Sequence, residues 1–189
     1  MWLKKIILSV ILALLTACAA SPLSTYHDTE MDFGSIQTVA VLPFANLTGH
    51  TRVEERVRDV FMNMLLATAS LYVIPPGEVA RGISRVQLVD SAAPSAEEVQ
   101  KLGVALSADA VISGVVREYG EVRSGTAASN VISIGLQLME VQTGRVIWSG
   151  STTKGGINMQ DRLLGGGGQP MNDITEEAVL DLIHQLFNS

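Results

Sequence analysis

Several groups of residues in this chain are of types that do chemistry, and their spacing decides what each can do. Ser151-Thr-Thr-Lys154 has the serine-to-lysine spacing of serine acylases, where the serine opens a helix and the lysine follows one turn later. Here the string closes a β-rich stretch and runs into Gly155-Gly156, so no helical turn brings the two side chains together. Gly165-Gly-Gly-Gly168 has the composition of a phosphate cradle, yet no Lys-Ser or Lys-Thr follows and Pro170 comes next. His27, His50 and His184 each lack a second histidine or a carboxylate at metal-ligand spacing. Glu54-Glu55, Glu97-Glu98 and Glu176-Glu177 fall in the first turns of expected helices, where negative charge suits the helix dipole. No nucleophile, base and orienter come together. The expectation is a protein that is not an enzyme and that takes no cofactor and no metal.

The remaining reactive group is Cys18, the one cysteine in 189 residues. It excludes a disulfide within the chain and a Cys-based structural zinc site. Before it lie Lys4 and Lys5, an apolar run Ile6–Leu15, and small residues at 16 and 17. That is the layout of a secretory signal, and the run is too short for a transmembrane helix of roughly 20 residues. A buried core helix, or a plain signal peptide with an incidental cysteine, would be the alternatives. Leu15-Thr-Ala-Cys18 resembles the bacterial lipobox, whose cysteine receives a diacylglyceryl thioether and becomes the new N-terminus. The resemblance implies residues 1–17 as signal peptide and Cys18 as the lipidation site. Ala19 after it resembles an outer-membrane sorting residue, which implies a chain anchored on the periplasmic face.

Hydrophobic residues make up 47% and charged residues 17%, enough apolar material for a real core. Thirteen Lys and Arg stand against nineteen Asp and Glu, for a net charge of −6, and no basic run occurs. Nucleic-acid binding and electrostatic docking on anionic lipid both need clustered cations, and both are excluded as expectations.

Residues 18–35 show no period and read as lipidated N-terminus and tether; about 16 residues span at most roughly 55 Å extended and nearer 20–25 Å as a coil. Residues 36–189 read as one domain. Thr38–Phe44 is an apolar β run ended by Pro43, where a lost donor is tolerable. Val53, Val57, Val60, Phe61, Met64, Leu65 and Thr68 make an amphipathic helical stripe, with Glu54, Glu55, Arg56, Arg58 and Asp59 opposite and Thr51 as N-cap. A short strand at Leu71–Ile74 and a helix at Glu78–Val86 follow, and Ser95-Ala-Glu-Glu98 is a capping box opening a helix to Leu106. Asp109–Tyr119 reads as a central strand, Val131–Val141 and Arg145–Thr153 as a hairpin, and Ile174–Phe187 as a closing helix. The predicted fold class is α/β (α+β): a single mixed sheet of about five strands, parallel in its first part, with an antiparallel C-terminal meander, packed with helices.

Three segments lack a routine structural job. Glu121–Asn130 reads as a polar hairpin loop. Gly155–Pro170 is long for a compact domain and carries Met159, Leu163 and Leu164, apolar groups expected to be packed on the domain or to face a partner or a second copy. Asn46–His50 is a turn beside the end of the first strand, where open α/β sheets often bind ligands, so Asn46 and His50 are candidate contact residues.

Val39-Ala-Val-Leu-Pro-Phe-Ala-Asn-Leu-Thr-Gly49 resembles the opening strand and turn of the superfamily that holds the TolB N-terminal domain, the curli secretion lipoprotein CsgG and the penicillin-binding-protein activator LpoB. Ser107–Gly114, Ile134–Val141 and Thr143–Ser149 resemble its closing strands, so the likeness covers residues 36–153. It implies an outer-membrane-anchored periplasmic lipoprotein, a non-enzymatic interaction module in envelope biogenesis whose partner is another envelope protein. The alternative it implies is a component of a CsgG-like secretion complex, with homo-oligomers.

Overall fold

Thr38–Val41 is buried on both sides: Val39 and Val41 point one way, Ala40 the other, and all three are fully enclosed. A strand of that kind needs helices on both faces of its sheet. The computed structural model, which describes residues 25–125, 127–157 and 168–188, supplies them. In chain order the elements are β1 (Thr25–His27), β2 (Thr38–Val41), β3 (Ala45–Asn46), α1 (Val53–Ala67), β4 (Tyr72–Val73), α2 (Pro76–Val86), α3 (Ala96–Leu106), β5 (Ala110–Ser124), β6 (Ala127–Glu140), β7 (Val146–Gly155) and α4 (Met171–Phe187).

The sheet order is β1-β7-β6-β5-β2-β4, with β3 alongside β5. β2 runs parallel to β4 and β5, whereas β5, β6 and β7 form an antiparallel meander, as the sequence predicts. Seven strands replace the expected five because β1 and β3 add pairings of only three and two residues, below the length at which alternation can be read. One face is covered by α1 and α4, whose Val57, Phe61, Leu65, Ile174 and Leu182 pack on Val39, Ile112, Ile134 and Trp148. The other is covered by α2 and α3, whose Val79, Val99 and Leu102 pack on Ala40, Leu42, Val111 and Met139.

Four expectations need correction. Thr25–His27 are not tether but an edge strand, paired antiparallel with Trp148–Gly150. Thr25 Oγ1 donates to Gln185 Oε1 of α4 at 2.8 Å, Arg145 pairs with Asp28 at 3.4 Å, and His27 stacks on Phe33 at 4.2 Å. These polar and ring contacts hold a segment with no hydrophobic period. Glu121–Asn130 is not a loop: β5 and β6 run on in register to Ser124 and Ala127, and the turn sits at Gly125. Residues 121–125 are exposed and the buried residues across from them, Ala127 and Ser129, are small, so no strong apolar alternation marks the ribbon. Thr51 does not cap α1. Arg52 takes the cap position with φ +63° and, carrying no acceptor, makes no side-chain cap bond, while Asn46 engages the carboxylate of Glu54. Arg58, expected on the wet side of α1, is half-buried and donates to the Val41 carbonyl at 2.5 Å. Desolvation lowers its pKa.

Candidate functional site

Two surfaces collect side chains that the fold itself does not consume. The first grows from β3. Asn46 pairs with Val116 of β5, and the Leu47 N–H donates to the Val116 carbonyl at 2.9 Å. The Asn46 side-chain oxygen accepts from the Thr48 N–H at 2.9 Å and from Thr48 Oγ1 at 2.7 Å, while Nδ2 donates to the His50 carbonyl at 2.7 Å and to Glu54 Oε2 at 2.6 Å. Asn46 is therefore spent on shaping the turn. What the turn presents is Leu47, 70% exposed, and His50, whose ring lies edge-on to Tyr119 at 6.1 Å. His50 sits over Gly120, whose φ of +146° favours glycine and where any Cβ would come within 2.8 Å of Nε2. Arg56 reaches the Tyr119 hydroxyl at 3.4 Å.

The second surface follows from where α2 and α3 stop. Beyond Val111 the face of the sheet that they cover continues along β5, β6, β7 and β1 with no helix over it among the described residues. Register places Ser113 beside Gln137, Gln137 beside Ser149 and Ser149 beside Tyr26, with Val115, Gly135 and Ser151 in the next row. Alternation from Val111, Ser113 and Val115 places Arg117 on this face as well, just where a bulge interrupts the register between Val116 and Glu118. The Arg117 guanidinium lies over Gly135: a Cβ there would fall 2.7 Å from Cζ and 2.9 Å from Nη1. With Ala92 and Ala93 as a wall, these residues enclose an open concavity of about 830 Å³.

On the opposite face, Thr152 donates to Asp181 at 2.5 Å and Lys154 pairs with it at 3.2 Å. Desolvation acts to raise the Asp181 pKa, but the bonds from Thr152, Lys154 and Gln185 outweigh it and hold the carboxyl below its ordinary value. Ser151 faces the concavity and Lys154 the helix side, so the serine–lysine string is divided between two faces, as its β context predicts. Glu97 is paired with Lys101 at 2.6 Å, and Ser95 and Glu98 form the reciprocal capping box that the sequence predicts. Among the described residues no group of three or more His, Cys, Asp or Glu could hold a metal, and no helix is long and apolar enough to cross a membrane.

Of the candidate residues, the structure brings Asn46 and His50 together in one turn. Cys18, Met159, Leu163 and Leu164 lie outside the described residues. Sequence reasoning missed Arg117 and the concavity. A signal was available: Ser133, Gly135 and Gln137 alternate with apolar residues, as Ser149 and Ser151 do, which leaves one face of the meander without apolar groups to cover.

Fold and surfaces together define an α/β domain that offers an exposed turn and, among the described residues, a concave sheet face without helix cover. No curated protein matches the chain. The model of the peptidoglycan-synthase activator LpoB family matches residues 21–153, and the chain belongs to that family. Solved structures share the fold. The PelC dodecamer of Paraburkholderia phytofirmans is similar with TM-score 0.56 and 16% identity, over 85% of this chain and 95% of that one. The lipoprotein GNA1162 of Neisseria meningitidis follows with TM-score 0.55 and 23% identity, over 81% and 99%. The LpoB C-terminal domain of Salmonella enterica gives TM-score 0.50 and 17% identity, over 67% and 87%.

Proposed function

We propose that this protein is a lipoprotein anchored through Cys18 on the periplasmic face of the outer membrane, and that it regulates a peptidoglycan synthase by direct contact, without catalysis of its own. The observation that carries this reading is the family match, which runs from just before β1 almost to the end of β7. The anchor rests on the lipobox-like Leu15–Cys18 and the short apolar run before it. For the contact surface we take the turn displaying Leu47 and His50, with Tyr119 and the solvated edge of β5 beside it; an exposed apolar side chain next to aromatic and cationic groups suits a protein hot spot. Met159, Leu163 and Leu164 are proposed as a further partner-facing or self-associating segment. No observation favours the CsgG-like secretion alternative, and it is not carried further.

The test is a glycan-polymerisation assay with a bifunctional penicillin-binding protein from the same host, with and without the purified chain. Stimulation of the synthase, lost in Leu47→Asp, supports the proposal. An unchanged rate at saturating concentrations of the chain overturns it.

A further inference from the structure

The concavity on the open sheet face has a chemistry that a contact with a folded protein does not explain. Among its lining residues Arg117 is the one with a formal charge, and no carboxylate lines it, in a chain of net charge −6. Gln137, Ser149 and Ser151 line its floor over the nearly buried Ser113, and neither their side chains nor that of Arg117 has a hydrogen-bond or ion-pair partner among the described residues. Polar groups arrayed this way on rigid strands are costly to leave unmatched once water is displaced, so they select a ligand with many complementary polar groups. Apolar groups, among them Val115, Leu136 and the alanines of the wall, share the lining with these polar ones about equally, the mixed surface that a sugar with its hydroxyl edge and apolar ring face matches. Tyr26 stands at one end, half exposed, with a ring face available to an apolar ligand surface.

From these features we infer that the open face is a binding site for a saccharide bearing a carboxylate. Arg117 takes the carboxylate in the two-pronged geometry that a guanidinium provides. The Ser149 and Ser151 hydroxyls and the Gln137 amide meet the sugar hydroxyl and acetamido groups, and Tyr26 packs on a ring face. Neighbouring strands lie ~4.8 Å apart, about the width of one sugar ring, so the polar groups of β5, β6 and β7 together span about 10 Å, or roughly two rings. The volume of about 830 Å³ suits a ligand of one or two rings. Gly135 positions the cation, since any larger residue would lift the guanidinium off the sheet. The inference goes beyond regulation of a synthase and does not require it, because binding is read on this chain alone.

The experiment is an NMR titration of the purified chain with three probes: the disaccharide of N-acetylglucosamine and N-acetylmuramic acid, the neutral disaccharide chitobiose, and a glutamate-rich pentapeptide. The acidic disaccharide is expected to shift the amides of Gly135, Gln137 and Ser149. Its affinity should fall about tenfold or more in Arg117→Gln, with part of it restored in Arg117→Lys. Gly135→Ala should weaken it similarly while the remaining spectrum stays native; Arg117 is exposed, so its variants keep the test valid if Gly135→Ala does not fold. Equal binding of chitobiose, tighter binding of the pentapeptide at the same amides, or an unchanged affinity in Arg117→Gln overturns the assignment. Synthase stimulation, measured separately, stands or falls by itself.

Discussion

Single side chains in this protein divide into those that build and those that remain available. Asp181 builds. Its carboxyl gathers Thr152 and Lys154 of β7 and, through Gln185, reaches Thr25 of β1, so one acid ties the closing helix to the edge of the sheet. Because its folded pKa lies below the unfolded value, its contribution is present above the ordinary carboxylate range and is lost as pH falls through the folded pKa. Asp181→Asn should therefore lower the melting temperature near neutral pH, and the gap from wild type should close as pH drops below about 4; thermal melts across that range give the answer, and a gap independent of pH would contradict it. His50 and Leu47 remain available. His50→Ala removes an exposed ring that lies against Tyr119 and over Gly120, so stability should change by less than about 0.5 kcal/mol while synthase stimulation falls, a separation that melts and activity assays resolve. The turn was legible because Asn46-Leu-Thr-Gly49 has turn chemistry at a strand end. Arg117 was not, because alternation gives it the face of Ser113 and Val115 but the local pattern does not say that α2 and α3 stop short of it.

At the scale of elements, what was legible depended on how much of each element is covered. α3 was read to its last residue, since Ser95 and Glu98 cap it reciprocally and Val99 and Leu102 mark its buried side. Ser95→Ala should cost about 1 kcal/mol, measured by denaturant unfolding, and a loss below ~0.3 kcal/mol would mean that the capping box is not what starts the helix. The β5–β6 ribbon was lost for the opposite reason: from Glu121 to Asn130 the ladder of backbone hydrogen bonds continues while the side chains are small, polar or charged. Glu118, Glu121 and Arg123 along the outer edge of β5 also discourage an unwanted strand from pairing there. β1 escaped notice because three residues cannot show a period, and its attachment depends on polar contacts made at long range in the chain. The apolar strands and helices of the shared core needed none of this, and their order and direction followed from pattern alone.

For the molecule as a whole, the strand at Thr25 changes the reach of the domain. Seven residue steps separate Cys18 from Thr25, at most roughly 25 Å when extended, against roughly 55 Å for the tether read from sequence. On the proposed anchoring the domain works close to its bilayer, and the synthase must extend toward it. Cys18→Ala should move the protein from the membrane to the soluble fraction and leave it without palmitate label; an unchanged membrane fraction would refute the anchor. Contact with a synthase is the claim on which the functional reading turns, and a photoreactive amino acid placed at position 47 tests it in intact cells. Irradiation should yield an adduct that mass spectrometry identifies as this chain joined to a peptidoglycan synthase, and the adduct should weaken when His50 is also replaced by Ala. Adducts to other proteins, or to a second copy of this chain, with none to a synthase, would contradict it.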